Sequence, residues 1–250
     1  MCAPAITPTP GSQRLLSVGV TCAAQVLGYA EYVPSNYNSL ASWPLIIAFH
    51  GDGEQGTGSA ADIGKVDDNG MPRQVNLDQW DASHRFIVLS PQMNGTTRTA
   101  LNVHNFIQFA KANYKVDATR IYLTGLSGGG GPLYRYLDTY AGGEAAAVIP
   151  VSAVYTFNTA AACGWKNVPT WFFHGAADTT VTSNNSKIAF DNLNACSPAP
   201  AVPPKFTEYT GVTHDAWTRT YNLSGMGTAV QSGRQSYDQS IYDWLLQYHR

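Results

Sequence analysis

Short, unbroken apolar runs recur along this chain, and between them apolar residues fall at helical spacing. The runs at 44–49, 85–89, 120–124, 145–151, 169–173 and 205–209 each predict a strand, with another expected at 26–32. Continuous apolarity, as in Leu45-Ile46-Ile47-Ala48-Phe49, is what a strand covered on both faces requires. Val103, Phe106, Ile107, Ala110 and Tyr114 follow i, i+3, i+4, i+7 and i+11, which is one face of a helix. Tyr237, Ile241, Trp244, Leu245 and Tyr248 form a second such stripe and predict a carboxyl-terminal helix. Strands alternating with helices imply an α/β fold, a mostly parallel sheet with helices on both faces. Such sheets bind ligands beyond the carboxyl ends of their strands.

No repeat or linker divides the chain, and 250 residues are enough to bury one substantial core. Residues 1–250 therefore read as one domain, with the Pro- and Thr-rich residues 1–12 expected as a loosely held tail. Residues 51–74 form a polar, glycine-bearing stretch. A structureless loop of that length is uncommon and usually functional.

The charge pattern removes several classes of partner. A net charge of −2 and a pI near 6.3 give no electrostatic case for nucleic acid or an anionic membrane surface. No apolar run approaches the roughly 20 residues of a membrane span. The opening Met1-Cys2-Ala3-Pro4 shows no leader pattern and reads as a trimmed start. The four cysteines allow three pairings. Cys163 and Cys196 flank one strand–helix unit and are the favoured bridge, with Cys2–Cys22 tying the amino-terminal tail. Two alternatives stand beside that pairing: Cys2 as the acylated cysteine of a lipoprotein precursor, and four reduced buried thiols. The low charge content, 13%, fits an exported protein, secreted or periplasmic.

The chemistry-bearing stretch is Gly125-Leu126-Ser127-Gly128-Gly129, directly after the run at 120–124. It fits the G-x-S-x-G turn that lifts a serine hydroxyl off the end of a strand, where glycines relieve the crowding. Chance alone yields this pattern in about one chain in ten of this length, so the other members decide. A serine hydroxyl needs a base, and the base needs an orienting carboxylate, in the chain order serine, acid, histidine. Asp178 lies in the Gly/Ala loop after the run at 169–173, and His214 follows the run at 205–209. His174 is the rival base, but it precedes the acid and is expected to support the loop. Asp215 is the rival acid, poorly placed to reach the ring of its immediate neighbour His214.

An oxyanion formed at Ser127 would need two preorganised N–H donors. The amide of Gly128 is one candidate, and the His50-Gly51-Asp52-Gly53 loop offers the other, Asp52 first and Gly53 as the alternative. Pro132 makes a poor helix start, so an irregular first turn after Ser127 is expected. Trp217 is a candidate wall of the substrate pocket or a core residue, and Glu54 and Gln55 read as loop braces. Asp67-Asp68-Asn69-Gly70 lacks the spacing of a calcium loop and reads as a turn.

These pieces together resemble the α/β-hydrolase superfamily, and within it the secreted esterases grouped with polyhydroxybutyrate depolymerases and feruloyl esterases. The resemblance is carried by His50-Gly51-Asp52-Gly53-Glu54, the elbow at Ser127, the stretch from His174-Gly175-Ala176-Ala177-Asp178 to Val181, and His214-Asp215-Ala216-Trp217. It implies an α/β-hydrolase fold and a serine esterase with catalytic Ser127, Asp178 and His214, needing no cofactor and no metal. The implied substrate is an ester, with plant polysaccharide and polyester as its candidate carriers, and a monomer is expected. Two other readings remain at this point: a small serine peptidase of the prolyl-oligopeptidase-like kind, and an inactive carbohydrate- or partner-binding module.

Overall fold

In the computed structural model, which describes residues 6–18, 27–81 and 83–250, one eight-stranded sheet organises the chain. The strands are β1 (Gln13–Leu16), β2 (Tyr29–Tyr32), β3 (Trp43–Phe49), β4 (Ile87–Pro91), β5 (Val116–Leu126), β6 (Ala145–Val151), β7 (Trp171–Gly175) and β8 (Lys205–Tyr209). Their order across the sheet is β1-β2-β4-β3-β5-β6-β7-β8. The pairings β1–β2 and β2–β4 are antiparallel, and every pairing from β4 to β8 is parallel.

The continuous apolar runs exist because both faces are covered. Along β3, Leu45, Ile47 and Phe49 enter one core, and Ile46 and Ala48 enter the other. Against the first face lie α2 (Ala100–Asn113), α3 (Gly130–Thr139), α4 (Thr159–Gly164) and α5 (Asn184–Asn194). Against the second lie α1 (Gly70–Asn76), α6 (Trp217–Tyr221) and α7 (Ile241–Leu245). The α2 stripe is buried as its spacing requires, and Thr99 caps the helix by accepting from the Asn102 amide at 3.1 Å.

Several boundaries differ from the periodicity. β5 runs from residue 116 rather than 120, and β1 lies in Gln13-Arg14-Leu15-Leu16, where no alternation marks it. The carboxyl-terminal stripe is only partly helical: α7 covers 241–245, and Tyr237 precedes it. Its ring packs edge-on against Trp171 and Phe173 of β7, so the apolar spacing there reflects packing onto the sheet. Residues 51–74 are not structureless, since a 3-10 turn at Ile63–Asp68 and the start of α1 lie within them. Within the expected tail, Ile6 packs on the core and the Gly11 amide donates to Val33 O at 2.9 Å.

Cys163 on α4 and Cys196 beyond α5 form a disulfide with Cα atoms 5.5 Å apart, so that pair is not reduced. Cys2 and Cys22, and the bridge expected between them, lie outside the described residues. Among the described residues, no helix is long and apolar enough to cross a membrane.

Candidate active site

Ser127 stands where β5 ends and a 3-10 turn, Ser127–Gly129, leads into α3. Its φ is +50°, a left-handed conformation that costs a non-glycine residue of order 1–3 kcal/mol. The flanking glycines are forced by close approach. A Cβ at Gly125 would come within 2.5 Å of Gly129 O, and one at Gly129 would collide with the carbonyls of Phe49 and His50. Pro132 falls at the third position of α3, where its missing N–H removes no bond within that helix. The irregular first turn expected from the glycines and Pro132 is this 3-10 turn.

The loops after β7 and β8 bring Asp178 and His214 into one hydrogen-bonded line with Ser127. His214 Nε2 lies 2.9 Å from Ser127 Oγ, and His214 Nδ1 lies 2.7 Å from Asp178 Oδ2. A carboxylate only accepts, so Nδ1 carries the proton and Nε2 is free to accept from the serine hydroxyl. Asp178 is wholly committed: Oδ2 also receives His174 Nε2 at 3.2 Å, while Oδ1 accepts from the amides of Thr180 and Val181 at 2.9 and 3.0 Å. Four donors on two oxygens suit an acceptor-only carboxylate that is buried.

His174 is the support that its position before the acid suggested. Its Nε2 meets only acceptors, Asp178 Oδ2 and Val181 O at 2.7 Å, so that nitrogen holds the proton. Nδ1 then accepts from Ser186 Oγ on α5 at 2.7 Å. Burial holds this imidazole below the usual histidine range, which keeps it neutral. Asp215 turns away from His214 and binds the amide and hydroxyl of Thr218 at 2.9 and 2.8 Å, bracing the start of α6.

The loop after β3 closes the other side. Among the described residues, the Asp52 amide donates to no group, and neither does that of Gly53. As second residue of the 3-10 turn, Gly128 has no partner for its amide within that turn. Asp52 and Gly128 are neighbours, because a Cβ on Gly128 would strike the Asp52 carboxylate. Glu54 accepts from Asn69 Nδ2 at 2.6 Å and Gln55 donates to Asp52 Oδ1 at 3.2 Å, so both brace the loop. Trp217 stands edge-on to the His214 ring, centroids 5.0 Å apart, with its indole N–H on Asn69 Oδ1 at 3.3 Å.

Arg98 is the residue that the sequence reading missed. It follows the turn Asn94-Gly95-Thr96-Thr97 and precedes α2, and its guanidinium reaches Gly51 O at 2.7 Å and the Asp52 carboxylate. No local signal announces it, since the contact depends on the fold bringing two loops together. Among the described residues, no group of three or more His, Cys, Asp or Glu side chains is arranged to hold a metal ion.

No protein-family model matches the chain, and no curated protein matches it in sequence. Solved structures do share its fold. A thermostable esterase superposes with a TM-score of 0.64 at 24% identity, over 95% of this chain and 63% of that one. This chain thus spans under two thirds of that esterase. A Klebsiella pneumoniae subsp. pneumoniae MGH 78578 protein assigned as a dienelactone hydrolase superposes with a TM-score of 0.57 at 12% identity, over 94% of this chain and 95% of that one. With the strand order described above, these likenesses identify the architecture as the α/β-hydrolase fold.

Proposed function

We propose that the chain is a serine hydrolase of carboxylic esters. The observation that carries this reading is the unbroken hydrogen-bonded line from Ser127 Oγ through the His214 ring to Asp178. His214 takes the hydroxyl proton as Ser127 attacks the ester carbonyl, and Asp178 holds the imidazole and balances its positive form. The Gly128 and Asp52 amides receive the oxyanion. His214 then returns its proton to the leaving alcohol, and the same base activates the water that releases the acid from Ser127. Trp217 walls the pocket beside the imidazole.

The names of the two structural relatives agree with hydrolysis of an ester or lactone. Acyl groups on plant polysaccharide, aromatic esters or polyesters are the substrates that the sequence resemblance implies. Export is supported by the Cys163–Cys196 disulfide, which persists in oxidising compartments.

The deciding experiment compares wild type with Ser127→Ala on p-nitrophenyl acetate, with circular dichroism to check the fold. Hydrolysis is expected to fall to background in the variant, and a fluorophosphonate is expected to label wild type stoichiometrically at Ser127. Undiminished turnover without the hydroxyl would refute the assignment.

A further inference from the structure

The peptide that joins Gly51 to Asp52 is gripped by its carbonyl from two sides. Gly51 O accepts from His50 Nδ1 at 2.6 Å and from Arg98 Nη2 at 2.7 Å. A peptide unit is planar and trans, so its C=O and its N–H point to opposite sides. Whatever holds Gly51 O therefore sets the direction of the Asp52 N–H. Both grips are themselves fixed. His50 Nε2 accepts the Met93 amide at 2.8 Å, which leaves Nδ1 as the protonated nitrogen. Arg98 is tied at its backbone, where its amide donates to Asn94 O at 3.1 Å and its carbonyl accepts from Arg135 Nη1 at 3.0 Å. Its side chain is only 10% exposed.

A second contact concerns charge. The Asp52 carboxylate lies against Gly128, and Arg98 Nη1 would be 2.9 Å from a Cβ built on that glycine. A negative group thus stands beside the two amides assigned to a negative oxygen. Unpaired, it would oppose charge developing on the reacting carbonyl. Arg98 Nη1 is its ion-pair partner.

We infer that Arg98 is a positioning residue of the oxyanion site, aiming the Asp52 amide through Gly51 O and cancelling the Asp52 carboxylate. The inference rests on the ester-hydrolase reading. A planar guanidinium suits both tasks, because its two terminal nitrogens serve separate acceptors at fixed geometry. Lysine offers one compact ammonium and does not reproduce the fork.

The test uses Arg98→Ala, Arg98→Lys, Asp52→Asn and the double variant Arg98→Ala/Asp52→Asn, each measured for kcat, KM and melting temperature. For Arg98→Ala, kcat is expected to fall about 100-fold, as on losing an oxyanion donor, with KM within about threefold of wild type. Arg98→Lys, which keeps the charge and most of the bulk, should lose less and carries the same comparison in milder form. Adding Asp52→Asn to Arg98→Ala should recover about tenfold in kcat, because the carboxylate left without its ion-pair partner is removed while the Gly51 contact stays lost. A merely structural role predicts no such recovery and a kcat that follows the melting temperature.

Undiminished kcat in Arg98→Ala, or a double variant no faster than it, overturns the inference while an active, fluorophosphonate-labelled wild type leaves the hydrolase reading intact. An inactive, unlabelled wild type overturns both.

Discussion

His174 and His214 donate to the same oxygen, Oδ2 of Asp178, at 3.2 and 2.7 Å. One imidazole faces the serine, and the other, fully buried, locks the acid from behind. Replacing His174 with Phe would remove one of the four donors on Asp178 and leave Ser186 without its acceptor. The expected cost is about 2 kcal/mol in stability, read from urea unfolding. Turnover should also drop by roughly tenfold to a hundredfold, since a displacement of about 1 Å at reacting groups can cost ~100-fold. An unchanged kcat would show that Asp178 is held without it.

The strained backbone at Ser127 gives a second prediction, of opposite sign. Glycine tolerates the φ of +50° that serine must be forced into. Ser127→Gly should therefore be inactive yet more stable than wild type by about 1 kcal/mol. Calorimetric melting of both proteins decides this, and a lower melting temperature for the variant would contradict it.

Acid should weaken the protein through His50. Burial pushes this imidazole down to about 4, so the unfolded chain takes up a proton that the folded one refuses. Stability from this group is complete above the unfolded value near 6.5 and is lost as pH falls towards about 4, to a total of roughly 3 kcal/mol. Asp67, raised to about 6 by burial and by Asp68, acts the other way: its contribution is present at low pH and lost as pH rises through about 6. Urea midpoints from pH 4 to 8 for wild type and His50→Gln isolate the histidine, and the difference between the two should grow flatter above pH 6.5.

The Cys163–Cys196 bridge spans a separation of 33 residues. Replacing both cysteines with serine should cost about 3–4 kcal/mol from the greater freedom of the unfolded chain. Turnover at 25 °C is expected to stay within about twofold. A larger fall would mean that α5 had shifted and carried Ser186 and His174 with it.

Much of this arrangement is legible in the chain because burial on both faces writes itself as unbroken apolar runs. β6 and β8 match those runs residue for residue. Ser127 is legible because glycine is the only residue whose bulk the carbonyls of Gly129, Phe49 and His50 admit around it. The meeting of Asp178 and His214 near Ser127 is legible because each follows the end of a strand in a parallel sheet, where loops gather on one edge. β1 and Arg98 are not. β1 is an edge strand with no apolar alternation to mark it, and Arg98 acts across 46 positions on Asp52 through a meeting of loops that no local spacing encodes. The stripe ending at Tyr248 misleads for a related reason, since Tyr237 is apolar-facing without being helical.

The contact between Ser127 and His214 joins residues 87 positions apart, and Asp178 enters from between them. A growing polypeptide thus displays its glycine-lined elbow long before the imidazole that would arm it has been synthesised. If the chain is the proposed hydrolase, its turnover is a clock for completed assembly, absent until the last third of the chain has docked.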